Sequence, residues 1–587
     1  MNIIKMGGGY LSLFKKLYNI KKQHKKEKQI YQETIKVFPT LKYPELKQCP
    51  DYNEALKCYF HLSYMLGEVL IKADQDKFIG GYFNLNKYIK KAKKEFKLFQ
   101  DIFKEFDQIN SNVIKAIVNN KQLFLKELPR IKNLLNTHKD YQPIIDNIFH
   151  NFDYVIKKIN LIKEWLLSND FNEKYKKENH PYPSLLDPKK LNDEKEEINY
   201  KTIPAQLAWE MNLPLPRNYE FVHLAHFGIA FLAMKVLYNN IGLNVVTRFS
   251  RHDGWQTYEE IYRQLNFYPN HYNVLYLDGF NMTNKNQFKF FSLIDKKVPL
   301  VTILRDPIER FPHLVNHLMF NKDAKYEFTL IDDLENVLNS VRYYDGDNVL
   351  SLYPNVNNLK TYECGYKSNV NFSLKSRIDC LRNISKIIYI DMSRIIGERT
   401  FNTMKILSRI LGFHIPKSIN KKIFKGKIQG GDFWGLIPRK LCINSQDFSL
   451  ENKKNIAITI TTFQKAPLKF YDITNIIFDK KLFSSEIVIF TDTKKDFDII
   501  QSDQKLFATI IDCLNRFIDI LEKQIKKENA KRIQLEEILF FFKNNEDVYK
   551  YFKDIFNFEL QDLKKSNPTL INKWHTYKKF NDLLKFL

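Results

Sequence analysis

The sequence predicts an α/β protein, a parallel sheet flanked by helices in the middle of the chain, with helical regions N-terminal and C-terminal to it. Four short apolar runs lead to this reading: "FVHLA" at 221–225, "VLYLDGF" at 274–280, "LVTILRDP" at 300–307 and "IIYIDM" at 387–392. Helical or loop text separates each from the next, the signature of parallel strands joined by crossover helices. Upstream, from about 52 to 170, Leu56, Tyr59, Leu62, Leu66 and Val69 recur every three or four residues, and "EFKLFQDIFKEFDQI" and "VIKKINLIKEWLL" continue the helical pattern. Only 18 Gly and 20 Pro occur in 587 residues, which favours long helices over turn-rich β architecture.

Taken in order, the chain divides into a basic arm (1–40), a helical domain (41–180), an α/β domain (195–440) and a strand pair with a C-terminal helical region (441–587). The arm places Leu11, Phe14, Leu17 and Tyr18 at helical spacing among Lys15, Lys16, Lys21, Lys22, Lys25, Lys26 and Lys28. That pattern fits an interfacial helix on an anionic membrane and equally a solvated arm. Gly7, Gly8 and Gly9 precede it as a hinge, and Gly80 and Gly81 break the helical domain. "NEKYKKENHPYPSLLDPKKLNDEKEE" at 172–197 is a polar, proline-marked linker. "AITITTF" at 457–463 and "EIVIFTD" at 486–492 form the strand pair, and a helical tail follows from about 504.

A balance of 92 Lys and Arg against 67 Asp and Glu gives +25, which suggests an anionic partner. Lysine is spread along the whole chain, so a solvated surface accounts for the charge as well, and no nucleic-acid module is discernible. The six cysteines are widely spaced without a CxxC pair, so neither a disulfide framework nor a zinc site is expected, and a reducing cytoplasm fits. No apolar run reaches the roughly 18 residues of a membrane span.

The chemistry concentrates in "VTILRDPIERFPHLVNH". An apolar strand runs into Arg305, Asp306 and Pro307. Asp306 can cap a helix starting at Pro307, and a helix start beside a strand end attracts anions. Arg305 adds a guanidinium with fork geometry for phosphate, or else pairs locally to fix the corner. In "TRFSRHDGW", after the expected second strand, His252 and Asp253 are a candidate base pair or a structural turn. His223 reads as core, and Glu259 and Glu260 as a solvated helix face.

Several of these segments resemble carbohydrate sulfotransferases. Arg305, Asp306, Pro307, Arg310 and Phe311 match the Arg-Asp-Pro-x-x-Arg-Phe corner that in that family holds the 3′-phosphate of 3′-phosphoadenosine-5′-phosphosulfate, while the family's phosphate-binding serine falls on His313. "FVHLAHFGIAFLAM" is similar to the family's first strand and phosphosulfate loop. Phe221, Val222, His223 and Gly228 agree, whereas the family's lysine is His226, its threonines are Phe227 and Ala230, and its second glycine is Ile229. "KIIYIDMSRIIGERTFNTMKILSRILGFHIP" is similar to the closing strand and helix, with Asp391 in the place of a structural acid, and "FKGKIQGGDFWG" resembles a basic loop whose cations are Lys425 and Lys427. "HLSYMLGEVLIKADQDKFIGGYFNL", "LAWEMNLPLPRNYEF" and the tail also resemble a family of unknown function from surface-polysaccharide loci of gut bacteria, members of which are implicated in adding methyl phosphoramidate to capsular sugars.

The resemblances imply a sulfotransferase-like, P-loop-related fold. They imply a cytoplasmic transferase, peripheral at the inner membrane if the arm binds lipid, that modifies a capsular sugar hydroxyl from a nucleotide-activated donor by sulfuryl or phosphoramidate transfer. The expected donor is 3′-phosphoadenosine-5′-phosphosulfate or a cytidine-nucleotide-activated group. Gly228, Arg305, His313, Lys425 and Lys427 are the expected donor-binding residues, and His226, His252 and Asp253 the expected catalytic ones, without a metal. The alternative is a non-catalytic scaffold of polysaccharide biosynthesis with a degenerate version of the same fold.

Overall fold

The computed structural model describes residues 9–45, 48–76, 81–105, 111–248, 253–278, 284–319, 321–346, 349–361, 364–368, 370–417, 419, 421–425, 433–449, 455–467, 469–478 and 482–583. They fall into two compact units, Met1–Glu164 and Trp165–Leu587.

The first unit is helical, as its periodicity predicts. Its principal helices are Gly9–Val37, Leu62–Gln75, Leu85–Glu105, Ser111–Asn119, Lys121–Thr137 and Gln142–His150. Aromatic side chains at helical spacing meet across it, Phe60 on Phe99 at 4.8 Å between centroids, Phe99 on Phe124 at 6.2 Å and Phe124 on Phe152 at 6.0 Å. The basic arm is one helix of 29 residues whose described lysines are exposed. Tyr18 and Ile20 are exposed on it as well, and the side chains of Leu11 and Phe14 lie outside the described residues, as do Gly7, Gly8 and Gly80.

In the second unit the expected strands form one parallel sheet. β1 is Phe221–Leu224, β2 Asn244–Val246, β3 Asn273–Leu277, β4 Val298–Leu304 and β8 Ile384–Asp391, in the order β2-β3-β1-β4-β8. β1 pairs in parallel with β3 (Phe221 opposite Val274) and with β4 (Val222 opposite Leu300), and β4 with β8 (Leu304 opposite Asp391). Helices on both faces bury the central strands completely, which is why they read as unbroken apolar runs. Helices Phe231–Asn240 and Arg399–Leu411 share a core with Phe221, Tyr276, Val301 and Ile303 on one face. Helices Gly254–Phe267 and Lys285–Ser292 complete the βαβ crossovers. The chain reverses its direction of winding between β1 and β4, and ligands of such sheets sit beyond the strand carboxyl ends at that switch point.

Two expectations about organisation need correction. The segment at 172–197 is not a free linker: Tyr175, Leu185, Leu186 and Leu191 are buried, Trp165 Nε1 donates to Ser184 O at 3.0 Å, and Lys174 pairs with buried Asp295. Its apolar residues lie too irregularly among the charges to show a period. The strand pair is part of a five-stranded sheet, β11-β12-β10-β9-β5, made of β5 Glu327–Phe328, β9 Arg439–Ile443, β10 Ile456–Thr462, β11 Tyr471–Asp472 and β12 Ile487–Thr491. A boundary at 440/441 therefore cuts through β9, and β5 reaches this sheet from inside the β4–β8 connection. That connection also carries a two-stranded hairpin, β6 Tyr343–Tyr344 with β7 Leu350–Ser351. The helix Gln504–Lys531 covers the second sheet with Leu506, Ile510, Leu514, Phe517 and Leu521.

Candidate functional site

The two segments singled out by sequence meet at the switch point. β1 ends at Leu224, and the chain crosses Ala225–Ala230 before the helix Phe231–Asn240. Gly228 turns at φ +75°, and a Cβ there would lie 3.6 Å from the Cβ of Arg310 and 3.8 Å from that of His313. So the loop after β1 rests on the corner after β4. Ala230 holds the N-cap position at φ 48° without a side-chain cap, leaving the first N–H groups of the helix to other acceptors.

At the corner, Asp306 caps as its sequence predicts, accepting from Ile308 N at 3.0 Å. Its other oxygen accepts from Tyr577 N at 2.9 Å, so one carboxylate also caps the last helix, His575–Asp582. Arg305 is half-buried, with a long ion pair from Nε to Glu309 at 3.4 Å. Arg310 is buried and forks onto the Phe227 carbonyl, Nε at 3.2 Å and Nη2 at 2.7 Å, while Nη2 also donates to Asn371 O. Its guanidinium stacks on Phe372 at 4.4 Å. Burial, with Arg377 and Arg305 beside it, pushes its pKa down to about 9, still well above neutrality. The Nη1 and Nη2 of Arg305 and the Nη1 of Arg310 have no acceptor among the described residues.

Arg377, which the sequence reading did not reach, completes the cluster. It is fully buried in the helix Lys375–Cys380, and its Nη1 ties the end of β1 to the end of β3, donating to Ala225 O at 3.0 Å and Asp278 O at 2.5 Å. Nη2 lies 2.7 Å from His226 Nδ1. His226 is therefore a buried acceptor. Desolvation, then Arg377 and Arg310, push its pKa well below the usual imidazole value. Where the resemblance puts a lysine, this chain has a neutral ring, and the positive charge comes from the arginines around it.

Of the remaining expected residues only His313 lies at this loop. His313 is exposed on the helix Phe311–Val315 facing Gly228. Asp253 accepts from Trp255 N at 2.9 Å and so caps the helix after β2, two strands from β1. Lys425 is on the surface, paired with Glu398 at 2.6 Å just past the end of β8. His252 and Lys427 lie outside the described residues. His223 is core, stacked on Tyr276 at 4.6 Å and 3.0 Å from the Tyr238 hydroxyl. Asp391 caps its own turn through Ser393 N at 2.8 Å. Asp278, buried at the end of β3 beside Arg377, is the acid the sequence reading passed over.

Among the described residues, no helix is long and apolar enough to cross a membrane. No curated protein and no solved structure matches the chain. Two family models do match, one at each end. A domain of unknown function (DUF8374) covers residues 2–98, and the family described as protein of unknown function (DUF2972) covers residues 389–587, from the end of β8 through strands β9 to β12 and the tail.

Proposed function

We propose that the chain is a group transferase of the sulfotransferase-like kind that binds a phosphate-bearing nucleotide donor in the crevice between β1 and β4. The observation that carries this reading is the convergence of Arg310 and Arg377 on the loop before an uncapped helix start, with Arg305 near Arg310 and three guanidinium nitrogens lacking acceptors among the described residues. Buried like charges repel, and a bound oxyanion relieves that repulsion while using the open donors. In such a transfer a sugar hydroxyl attacks sulfur or phosphorus in line. The new oxygen bond forms as the bridge to the nucleotide breaks, and the arginines stabilise charge on the departing phosphate. The attacking hydroxyl gives up its proton as the new bond forms, and Asp253, a helix cap two strands from β1, is not placed to take it. The scaffold reading draws support from one feature: Arg310 and Arg377 also clamp backbone carbonyls, a job that needs no ligand.

Titration calorimetry with adenosine 3′,5′-bisphosphate and with cytidine nucleotides tests the reading. Arg305→Ala should raise the Kd about tenfold to a hundredfold, the cost of losing charge-assisted hydrogen bonds, with little change in Tm. Arg305→Lys should fall between, since it keeps the charge and loses the fork. Unchanged affinity with a lower Tm would make Arg305 a structural residue and leave the scaffold.

A further inference from the structure

We infer a second oxyanion site, at the end of the second sheet, where Thr462, Arg439 and Lys465, the last of them stacked on Trp434, would take a phosphate-bearing small molecule. It stands independently of the crevice after β1 and β4. Arg439 sits opposite Ile460 in the β9–β10 ladder, so the two share a face, and Thr462, two residues further along β10, shares it too. Arg439 is 1% exposed, yet it has no carboxylate partner among the described residues. Its acceptors are Pro438 O at 2.8 Å, Ser340 Oγ at 2.5 Å, Val337 O at 3.4 Å and Gly435 O at 3.3 Å.

Lys465, on the turn after β10, brings a second cation to the same place. Its Nζ lies 4.9 Å over the Trp434 ring and reaches only one acceptor among the described residues, Ile437 O at a long 3.4 Å. The side chain as a whole is exposed, while desolvation of its amine, then the nearby Arg439, pushes its pKa down. The Thr462 hydroxyl is buried, 2% exposed, with no hydrogen-bond partner among the described residues. Arg439, which also stacks on the Tyr326 ring at 4.9 Å, and Lys465 thus bring two positive charges, without a carboxylate among the described residues, beside an orphaned hydroxyl, and water could satisfy the hydroxyl without neutralising the charge. An oxyanion does both: it accepts from Thr462 and from Lys465, and it offsets the repulsion between Lys465 and Arg439. The half-buried Trp434 ring supplies an apolar wall for the rest of a small molecule. Thr461, although also buried and unpartnered among the described residues, points to the opposite face and takes no part.

Calorimetric titration of the full chain with inorganic phosphate, in an Arg305→Ala background that removes two of the three open crevice donors, provides the test. Millimolar phosphate should still bind. Lys465→Gln should weaken that binding about tenfold or more. Thr462→Val should weaken it as well while leaving Tm equal or higher, because it deletes a hydroxyl that the free protein leaves unbonded. Absence of phosphate binding in the Arg305→Ala chain, or binding indifferent to both Lys465→Gln and Thr462→Val, would overturn the site. So would a loss of stability in Thr462→Val, since it would mean that the hydroxyl is already bonded inside the protein.

Discussion

At the scale of single residues, Asp306 and Ala230 make opposite contributions at the same edge of the sheet. Asp306 caps two helices at once, so Asp306→Ala leaves two buried N–H groups, on Ile308 and Tyr577, without acceptors. The expected loss is about 2 to 4 kcal/mol, read from denaturant unfolding, and Asp306→Asn, which keeps an oxygen, should recover part of it. Ala230 is the reverse case. At φ 48° its Cβ crowds the following carbonyl, a conformation glycine adopts without penalty. Ala230→Gly should therefore stabilise the protein by up to about 1 kcal/mol, since glycine is also acceptable at an N-cap. A destabilised Ala230→Gly chain would mean that loop entropy outweighs the strain.

At the scale of elements, what was legible in the sequence depended on how far apart the partners lie. The strand β4, its corner and the Asp306 cap were legible because strand, cap and helix start are consecutive. Arg377 was not: its acceptors Ala225 and Asp278 are 152 and 99 residues away, and nothing in "SLKSRIDC" signals them. The two-residue strand β5 is likewise too short to carry a period, so its pairing with β9, and with it the interleaving of the two sheets, stayed hidden. The short helix Lys375–Cys380 that carries Arg377 is held by the C-terminal tail. Buried Glu559 accepts from Ser376 N at 3.0 Å and from the Ser376 hydroxyl, and Lys375 pairs with Asp562 at 2.7 Å. Phe311 and Phe372 pack on Phe552 at 4.9 and 5.7 Å, joining the same tail to the corner. Glu559→Ala should cost about 1 to 3 kcal/mol through the orphaned Ser376 N–H. If Arg377 serves the crevice, the same change should weaken nucleotide binding, with partial rescue by Glu559→Gln. Intact binding in a destabilised Glu559→Ala chain would confine the tail to a structural role.

At the scale of the molecule, the two units can be followed separately, because all five tryptophans (Trp165, Trp209, Trp255, Trp434 and Trp574) belong to the second. That unit buries three histidines as neutral rings. Burial pushes His180 down to about 4 and His223 to about 3, and burial with the Arg377 and Arg310 cations holds His226 well below the usual value of 6.5. When a folded pKa is depressed, the unfolded state binds the proton first, so stability is complete above about pH 6.5 and drains away as pH falls towards the folded values. Each histidine contributes a slope of up to about 1.4 kcal/mol per pH unit, or about 4 for the three together, which is large against the stability of an ordinary domain. Asp306 works in the other direction. Burial raises its pKa, so its own contribution falls as pH rises above about 3.8, and it offsets the histidines only at the acid end. Urea unfolding followed by tryptophan fluorescence between pH 7.5 and 5 should therefore show a steep loss of stability on acidification. His180→Gln, away from the arginine cluster, should remove about a third of the slope and leave nucleotide binding unchanged. A flat profile between pH 7.5 and 5 would mean that these rings take up protons in the folded state. The neutral His226, on which the arginine-based reading of the crevice depends, would then be wrong.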